Sequence, residues 1–371
     1  MLPHKVIWIP IAITVAVAAL LWSLRPEPAV SRSVQESKKP PLSFKSVDHE
    51  KPASTDPLAG TFDQLKASPD ALKSLQDLQG KLAKMNPAEA VTWMRDFLKS
   101  GKDKDTGLTF EIGSDHAMKQ WPTFRTFLLD ALRAIDPTAA AEISYEILSK
   151  PTTADEWALA MRNIGLTDQT AETNATLREK TEALIGNPAW QVAPSIGYLN
   201  AFDILVHTQA VQSTPLLSSL IQRKNRKDLA HAAFLTLDRL VQRDPEEVLT
   251  RLASDKALQQ SRPEMTAQQF ARADLRDPAQ QAIVKSWLLD PARTGSELNA
   301  FSGIYPNNNH FVSNNLLTSE PNPSGADLAM HDREALKILN AWSADPAFAA
   351  LHDHIATMIT RLNGFVIKPN E

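Results

Sequence analysis

The sequence predicts an all-α protein, with about a dozen helices packed as helical hairpins behind an N-terminal transmembrane helix. Glycine is scarce, at 12 of 371 residues, which is about half the usual share. Proline is not scarce, at 25 residues, but most prolines stand at segment boundaries, where they favour helix starts. From about residue 61 onward, apolar residues recur with the period of a helix, and no segment alternates convincingly as a strand.

The first element is the apolar run at residues 6–24, VIWIPIAITVAVAALLWSL, which contains no charged residue. As a helix this run spans about 28 Å, close to the hydrocarbon thickness of a bilayer. Trp8 and Trp22 lie near its two ends, where aromatic residues favour the membrane interface. We therefore expect a signal-anchor helix within residues 1–24. A cleaved signal peptide is the alternative, with candidate cleavage sites around Ala16–Ala19 or near Ala29.

Two sets of sequence features favour opposite orientations of this anchor. Only Lys5 precedes the run among nearby basic residues, whereas Arg25, Arg32, Lys38 and Lys39 follow it, which favours a cytoplasmic body. The signal-like layout, the short head and the absence of cysteine favour an extracytoplasmic body instead. We expect a single-pass protein of a bacterial-type inner membrane, with its body in the periplasm.

Residues 25–60 form the next segment, which is rich in proline, serine and lysine. Its few apolar residues do not offset the entropy lost on ordering, so we expect a disordered tether. A flexible chain of this length has an end-to-end distance of roughly 30–35 Å. The segment would hold the body near a membrane without pressing it against the surface.

Helix starts in the body share a signature, in which a capping residue is followed by proline. The capping side chain accepts hydrogen bonds from free amides of the first turn, and proline has no amide hydrogen there to satisfy. Thr153 and Glu156 have the spacing of a capping box at another start. The pairs are Asn86-Pro87, Asp136-Pro137, Asn187-Pro188, Asp244-Pro245, Asp277-Pro278 and Asp345-Pro346.

The spacing of these pairs predicts the architecture of residues 61–290. The first three pairs lie 50 and 51 residues apart and the fourth lies 57 residues further on, which suits a helix pair with its loops. In this respect the region resembles a HEAT-type α-solenoid, a stack of helical hairpins. The next interval shrinks to 33 residues, so an irregular all-helical domain is the alternative.

Composition excludes several function classes. The net charge of −4 gives no basic field that would recruit nucleic acid, and we expect no nucleic-acid partner. The chain has no cysteine, which removes disulfides, thiolate metal sites and a cysteine nucleophile. It also lacks a nucleophile elbow, a glycine-rich phosphate loop and an HExxH motif. We therefore expect no enzyme activity, no cofactor and no metal.

Two charged groupings have structural and functional interpretations. The run RKNRK at residues 223–227 fits a solvated turn between two helices, although it also suits anionic lipid or nucleic acid. Asp327, His331 and Glu334 share one helix face, as metal ligands or acid–base groups must. Ser324 and Asp327 are also explained as a helix cap, and we favour the structural interpretation in both cases.

Residues 291–326 are the longest break in helical patterning within the body, and they open a C-terminal region at 291–371 that ends in helices. Loops of this length are typically functional or disordered, and the apolar residues here argue against disorder. Asparagines also suit tight turns, so a packed loop with a purely structural role stays open. The functional interpretation is an amide and aromatic surface that recognises peptide or glycan. The candidate binding residues are Tyr305, Asn307, Asn308, Asn309, His310 and Phe311.

Together these features favour a membrane-tethered helical scaffold that binds a protein partner near the membrane without catalysis. An anchor, a proline-rich tether and an all-helical body also resemble the lipase-specific foldases, which are membrane-anchored steric chaperones. Their Arg-x-x-Phe-Asp-Tyr motif is missing, and the nearest text, MRDFLKSGK, has Arg95 and Phe97 at another spacing. A second alternative is a hydrolase of cell-envelope material with its site near residues 305–334.

Overall fold

The computed structural model describes residues 57–309, 315–319 and 324–366. This part of the chain divides after Asp168 into two compact units, a first unit at residues 57–168 and a second unit at residues 169–366. Both units are built almost wholly from helices, which confirms the all-α prediction. The predicted anchor at 6–24 and most of the predicted tether lie outside the described residues. No helix in the described ranges is long and apolar enough to span a membrane.

The first unit contains six helices and one short antiparallel hairpin. Strands β1 (Glu111–Ile112) and β2 (Met118–Gln120) pair through Glu111 opposite Gln120. The two helices that follow Asp136 and Thr153 pack against each other and against the helix before them. The helices are α1 (Pro57–Gln64), α2 (Ala71–Leu82), α3 (Pro87–Lys99), α4 (Phe124–Ile135), α5 (Pro137–Leu148) and α6 (Ala154–Thr167).

The second unit contains helices and loops and no strand in its described residues. Its α-helices are α7 (Ala171–Gly186), α8 (Pro188–Val192), α9 (Ile196–Asn200), α10 (Asp203–His207), α11 (Thr214–Ile221), α12 (Lys227–Arg243), α13 (Pro245–Ser254), α14 (Lys256–Ser261), α15 (Pro263–Phe270), α16 (Pro278–Leu288), α17 (Gly295–Ile304), α18 (Gly325–Ala344) and α19 (His352–Val366). Two 3₁₀ turns, Val211–Ser213 and Pro346–Leu351, precede α11 and α19.

The proline-marked helix starts are confirmed. In each of the six pairs the asparagine or aspartate side chain accepts at least one amide hydrogen bond from the first turn. Asn86 accepts from Ala88 and Glu89, for example, and Asp277 accepts from Ala279 and Gln280. The others are Asp136, Asn187, Asp244 and Asp345. These caps satisfy amide groups that every helix start leaves without an intrahelical partner.

Four details of the structure differ from the sequence predictions. The first unit has a β-hairpin, whose strands are too short to show an alternating pattern. The described body begins at Pro57, four residues before the predicted boundary at 61. The chain forms more helices than the predicted dozen, because several have only five to eight residues. Within the predicted break at 291–326 lies α17, which starts with a reciprocal capping box between Thr294 and Glu297.

The predicted capping box at α6 is only half formed. Thr153 accepts the amide of Glu156 at 3.2 Å, as expected of a cap. The Glu156 carboxylate turns instead to Arg125, which donates to it through Nε and Nη2 at 2.9 and 3.0 Å. Both side chains are buried, so the ion pair ties α4 to α6 in the core of the first unit. A buried pair of this kind outweighs one local cap.

Candidate functional site

The asparagine segment, defined here as residues 305–318, begins inside the core of the second unit. Tyr305 follows α17 and is fully buried, and its ring stacks on Phe301 with centroids 5.4 Å apart. Asn307 is also buried, at 7% exposure, whereas Asn308 and Asn309 are exposed. The start of the segment is therefore fixed, and the chain turns outward directly after Asn307.

A buried ion pair fixes this start, and we call it the first clamp. Asp238 accepts two hydrogen bonds from Arg272, at 2.9 Å from Nε and 2.8 Å from Nη2. The remaining terminal nitrogen of Arg272 donates to the backbone carbonyl of Asn307 at 2.7 Å. The amide of Asn307 donates to the carbonyl of Ala271 at 2.8 Å. Both polar groups of the Asn307 backbone are thus satisfied by two successive residues after α15.

A second clamp fixes the other end of the segment. One oxygen of Asp203 accepts the amides of Leu317 and Thr318, at 2.6 and 3.0 Å. Its other oxygen accepts from the Thr318 hydroxyl and from Nη1 of Arg239, the latter at 2.6 Å. Arg239 also donates to the Thr318 hydroxyl. Asp203 is 5% exposed, so this carboxylate is balanced by a buried network and not by water.

The two clamps share one helix. Asp238 of the first clamp and Arg239 of the second are neighbours on α12. Successive helical residues point in directions about 100° apart, so each can serve a different end of the segment. Buried ion pairs add little net stability, because desolvation offsets their attraction, but breaking one is costly. We therefore interpret the clamps as a device that fixes the positions of Asn307 and Thr318.

A second polar cluster lies beside Tyr305. His331 of α18 approaches Asp274, with Nε2 and Oδ1 3.8 Å apart, and its Nδ1 lies 3.1 Å from Asp332. Burial acts to raise the pKa of Asp274, but hydrogen bonds from Arg276 outweigh it and hold that pKa below its usual value. Burial raises the pKa of the Tyr305 hydroxyl, and the carboxylates of Asp274 and Asp332 raise it further. This environment therefore favours the neutral form of the Tyr305 phenol.

Asp327, His331 and Glu334, which the sequence placed on one helix face, each have other partners in the structure. Asp327 accepts a hydrogen bond from the Ser324 hydroxyl at 2.6 Å and belongs to the cap of α18. Glu334 pairs with Lys337 at 2.7 Å on the exposed side of the helix. Neither carboxylate is a described partner of His331. In the described residues no group of three or more histidine, aspartate or glutamate side chains is arranged to hold a metal ion.

The predicted binding residues divide into three groups. Tyr305 and Asn307 are buried in the core of the second unit, where the segment begins. Asn308 and Asn309 are exposed and available to a partner. His310 and Phe311 lie outside the described residues. A role of Asn308, Asn309, His310 and Phe311 in recognition stays a prediction. Tyr305 and Asn307 are buried and are therefore not part of an exposed binding surface.

The clamp residues were not among the sequence predictions, although the sequence carries a signal for them. Asp203 stands between Phe202 and Ile204, and Asp238-Arg239 interrupts an apolar helical stripe. Charged side chains in such positions are rarely buried unless they are paired. That pattern indicates buried ion pairs, but it does not identify the partner of each charge.

Family models, curated proteins and solved structures were all compared with the chain, and none of them matches it.

Proposed function

We propose that this protein is a membrane-tethered helical scaffold that binds a protein partner near the membrane and does not catalyse a reaction. The observation that carries the proposal is the pair of clamps on α12. They fix Asn307 and Thr318, and they leave Asn308 and Asn309 exposed between them. Residues such as Asn307 and Thr318 that are fixed before binding lose less entropy when a partner arrives.

The chemistry of the exposed residues suits a peptide partner. Each asparagine amide offers donors and acceptors, and so matches the backbone of an extended or looped polypeptide. The all-helical body supplies a rigid support, which in a HEAT-like arrangement would also present an extended surface. The apolar run at 6–24 and the tether that follows would restrict the body to a layer beside a bacterial-type inner membrane, on its periplasmic side.

Photo-crosslinking in living cells tests the proposal directly. A photoreactive amino acid replaces Asn309, and a matched probe replaces Glu246, an exposed residue on α13 of the same unit. We expect one dominant protein adduct at position 309 and none at position 246, as read by mass spectrometry. Equal adducts at both positions, or none at 309 in a folded protein, would reject the segment as a recognition surface.

One observation favours the hydrolase alternative, namely the contact of His331 with Asp274 and Asp332. A histidine oriented by carboxylates can act as a general base. Release of soluble fragments from purified cell-wall material by the wild type, lost in His331→Ala with hydrogen exchange unchanged, would support this alternative. Equal release by the variant and the wild type would reject it.

A further inference from the structure

A second surface of the same unit combines exposed apolar residues with positive charge. Its first part is the apolar corner, defined as residues 188–196, where α8 ends and α9 begins. The corner lies within a stretch, residues 183–202, that contains no charged residue. Val192 is 80% exposed and Ile196 is 48% exposed, and Val192 is the most exposed large apolar side chain in the described ranges. The described chain thus leaves Val192 and Ile196 exposed at this corner.

The second part is the basic turn at residues 223–227, which joins α11 to α12 as the sequence predicted. Gln191 of the corner connects the two parts, because its side-chain oxygen accepts from Arg223 at 2.7 Å. Its backbone carbonyl accepts from Arg226, which also pairs with Asp228 at 2.7 Å. The corner and the turn are therefore one continuous surface.

The charge of this surface is only partly balanced. Asp228 neutralises Arg226, which leaves Arg223, Lys224 and Lys227 as net positive charges. Lys224 and Lys227 are exposed and form no ion pair with any residue that the structure describes. Exposed apolar side chains, Val192 and Ile196, thus lie beside a net positive charge.

The boundary of an anionic bilayer accommodates both parts at once. Apolar side chains enter the zone between headgroups and acyl chains, and lysines and arginines stay among the anionic headgroups. The half-buried Trp190 suits the same interface, where tryptophan is enriched. A nucleic acid would bind the cations but would leave Val192 and Ile196 without an apolar environment. Charge and apolarity together therefore favour lipid.

Two exposed apolar side chains would hold a free protein only weakly. The proposed tether changes this, since it confines the body within roughly 30–35 Å of the bilayer and so raises its effective concentration there. Each lysine near an anionic surface adds about a fivefold factor to surface affinity. A modest patch is sufficient under these conditions.

We propose that the apolar corner and the basic turn form a contact site for an anionic lipid bilayer, namely the bilayer that holds the N-terminal segment. This inference rests on the tether of the proposed function and is independent of partner recognition by the asparagine segment. Docking would be reversible, with a docked and an undocked position of the same tethered body.

The absence of native cysteine permits a specific test on the full chain. V192C is labelled with an environment-sensitive fluorophore and reconstituted into phosphatidylcholine vesicles with or without phosphatidylglycerol. M330C, at a 47% exposed apolar residue outside the surface, is the matched control. We expect a blue shift and quenching by spin-labelled lipid at position 192 only, and only with phosphatidylglycerol. K224Q/K227Q should lower the ratio of docked to undocked protein about 25-fold.

The outcomes separate this inference from the proposed function. Equal emission at position 192 in both lipid mixtures, or no effect of K224Q/K227Q, overturns the lipid site. Burial of the probe that needs a protein partner and no anionic lipid assigns the corner to that protein instead. Flotation of the same sample with vesicles measures separately whether the N-terminal segment attaches the protein to the bilayer. Crosslinking at Asn309 measures partner recognition. The lipid site can therefore fail while both of those results stand.

Discussion

The two units each contain a long non-helical segment that is attached to helices through buried arginines, but the attachments differ. The hairpin segment at residues 100–123 is bonded along its length. Asp103 accepts the amide of Arg125 at 3.0 Å, the Thr106 hydroxyl donates to the carbonyl of Trp121 at 2.5 Å, and Arg162 donates to the carbonyl of His116 at 3.1 Å. The described bonds of the asparagine segment lie at its two ends.

The hairpin segment has a structural role, whereas we propose that the asparagine segment is presented to a partner. Arg162 is fully buried and pairs with Asp130 at 2.8 Å, so the hairpin segment is part of the core of the first unit. Desolvation by burial lowers the pKa of Arg162, although Asp130 counteracts the effect. The clamps around Asn307 and Thr318 use the same chemistry to fix these two residues. The same kind of ion pair therefore fixes the hairpin segment in one unit and two residues of the asparagine segment in the other.

The largest expected effect follows from Arg162→Met, which leaves Asp130 buried without its cation. Breaking such a pair should lower the free energy of unfolding of the first unit by about 4 kcal/mol. Hydrogen exchange of amides in α4 and α6 measures this loss within that unit. The control is Arg95→Met, whose pair with Glu142 is exposed and should contribute at most about 1 kcal/mol. Similar losses for both variants would contradict a special role for the buried pair.

Arg272→Met tests the first clamp and should have the next largest effect. It leaves Asp238 buried and unpaired, so we expect a loss of about 3 kcal/mol in the second unit. It also frees the carbonyl of Asn307, so crosslinking at Asn309 should fall together with stability. The control Arg276→Met breaks a more exposed pair, 36% and 31% exposed, and should retain the crosslink. A retained crosslink in Arg272→Met would show that the clamp does not order the segment.

Thr294→Ala tests the helix that leads into the asparagine segment, with a smaller expected effect. It removes the hydroxyl that accepts the amide of Glu297 at 3.3 Å and should cost about 1 kcal/mol. Hydrogen exchange at the start of α17 should increase first. Thr357→Ala, at an exposed position within α19, should be nearly neutral. An equal change in both variants would argue against a role for the cap.

The smallest expected effect is a change in how the stability of the second unit depends on pH in acid. Because the pKa of Asp274 is lowered in the folded protein, its contribution to stability is fully present above the ordinary carboxyl value of 3.8. That contribution is lost as pH falls through the lowered folded value. Asp274→Asn should therefore reduce the acid sensitivity of the second unit in hydrogen exchange or denaturation experiments. Asp115→Asn should alter the acid sensitivity of the first unit only. There a hydrogen bond from the backbone amide of Ala117 lowers the pKa of the Asp115 carboxyl.

Local signals in the sequence predicted local structure well. The capping pairs such as Asp136-Pro137 and Asp277-Pro278 mark helix starts because the cap and the proline act within a single turn. The Thr294-x-x-Glu297 pattern carries the same information for α17. The asparagines that follow favour a loop, so the sequence analysis predicted a break where this helix lies. Glu156 shows the limit of such patterns, since Arg125, 31 positions away in the chain, takes its carboxylate.

The sequence indicated the asparagine segment as a candidate recognition surface, which stays a prediction, but it did not indicate the clamps that hold Asn307 and Thr318. The abundance of asparagine identified residues 307–309, and the exposure of Asn308 and Asn309 agrees with a surface role. The clamps join Asp203 to Thr318 across 115 positions of the chain, a pairing that no local pattern indicates. Burial of a charge is readable from its apolar neighbours, whereas its partner depends on the tertiary fold.

The position of the clamps on α12 has a geometric consequence. The helix starts at Lys227, in the basic turn, and carries Asp238 and Arg239 further along. The rise of an α-helix separates Lys227 from Asp238 by about 16 Å along the axis. α12 is therefore a spacer of fixed length between the two surfaces. Any surface that immobilises the basic turn would therefore also restrict the position of the exposed residues Asn308 and Asn309 relative to that surface.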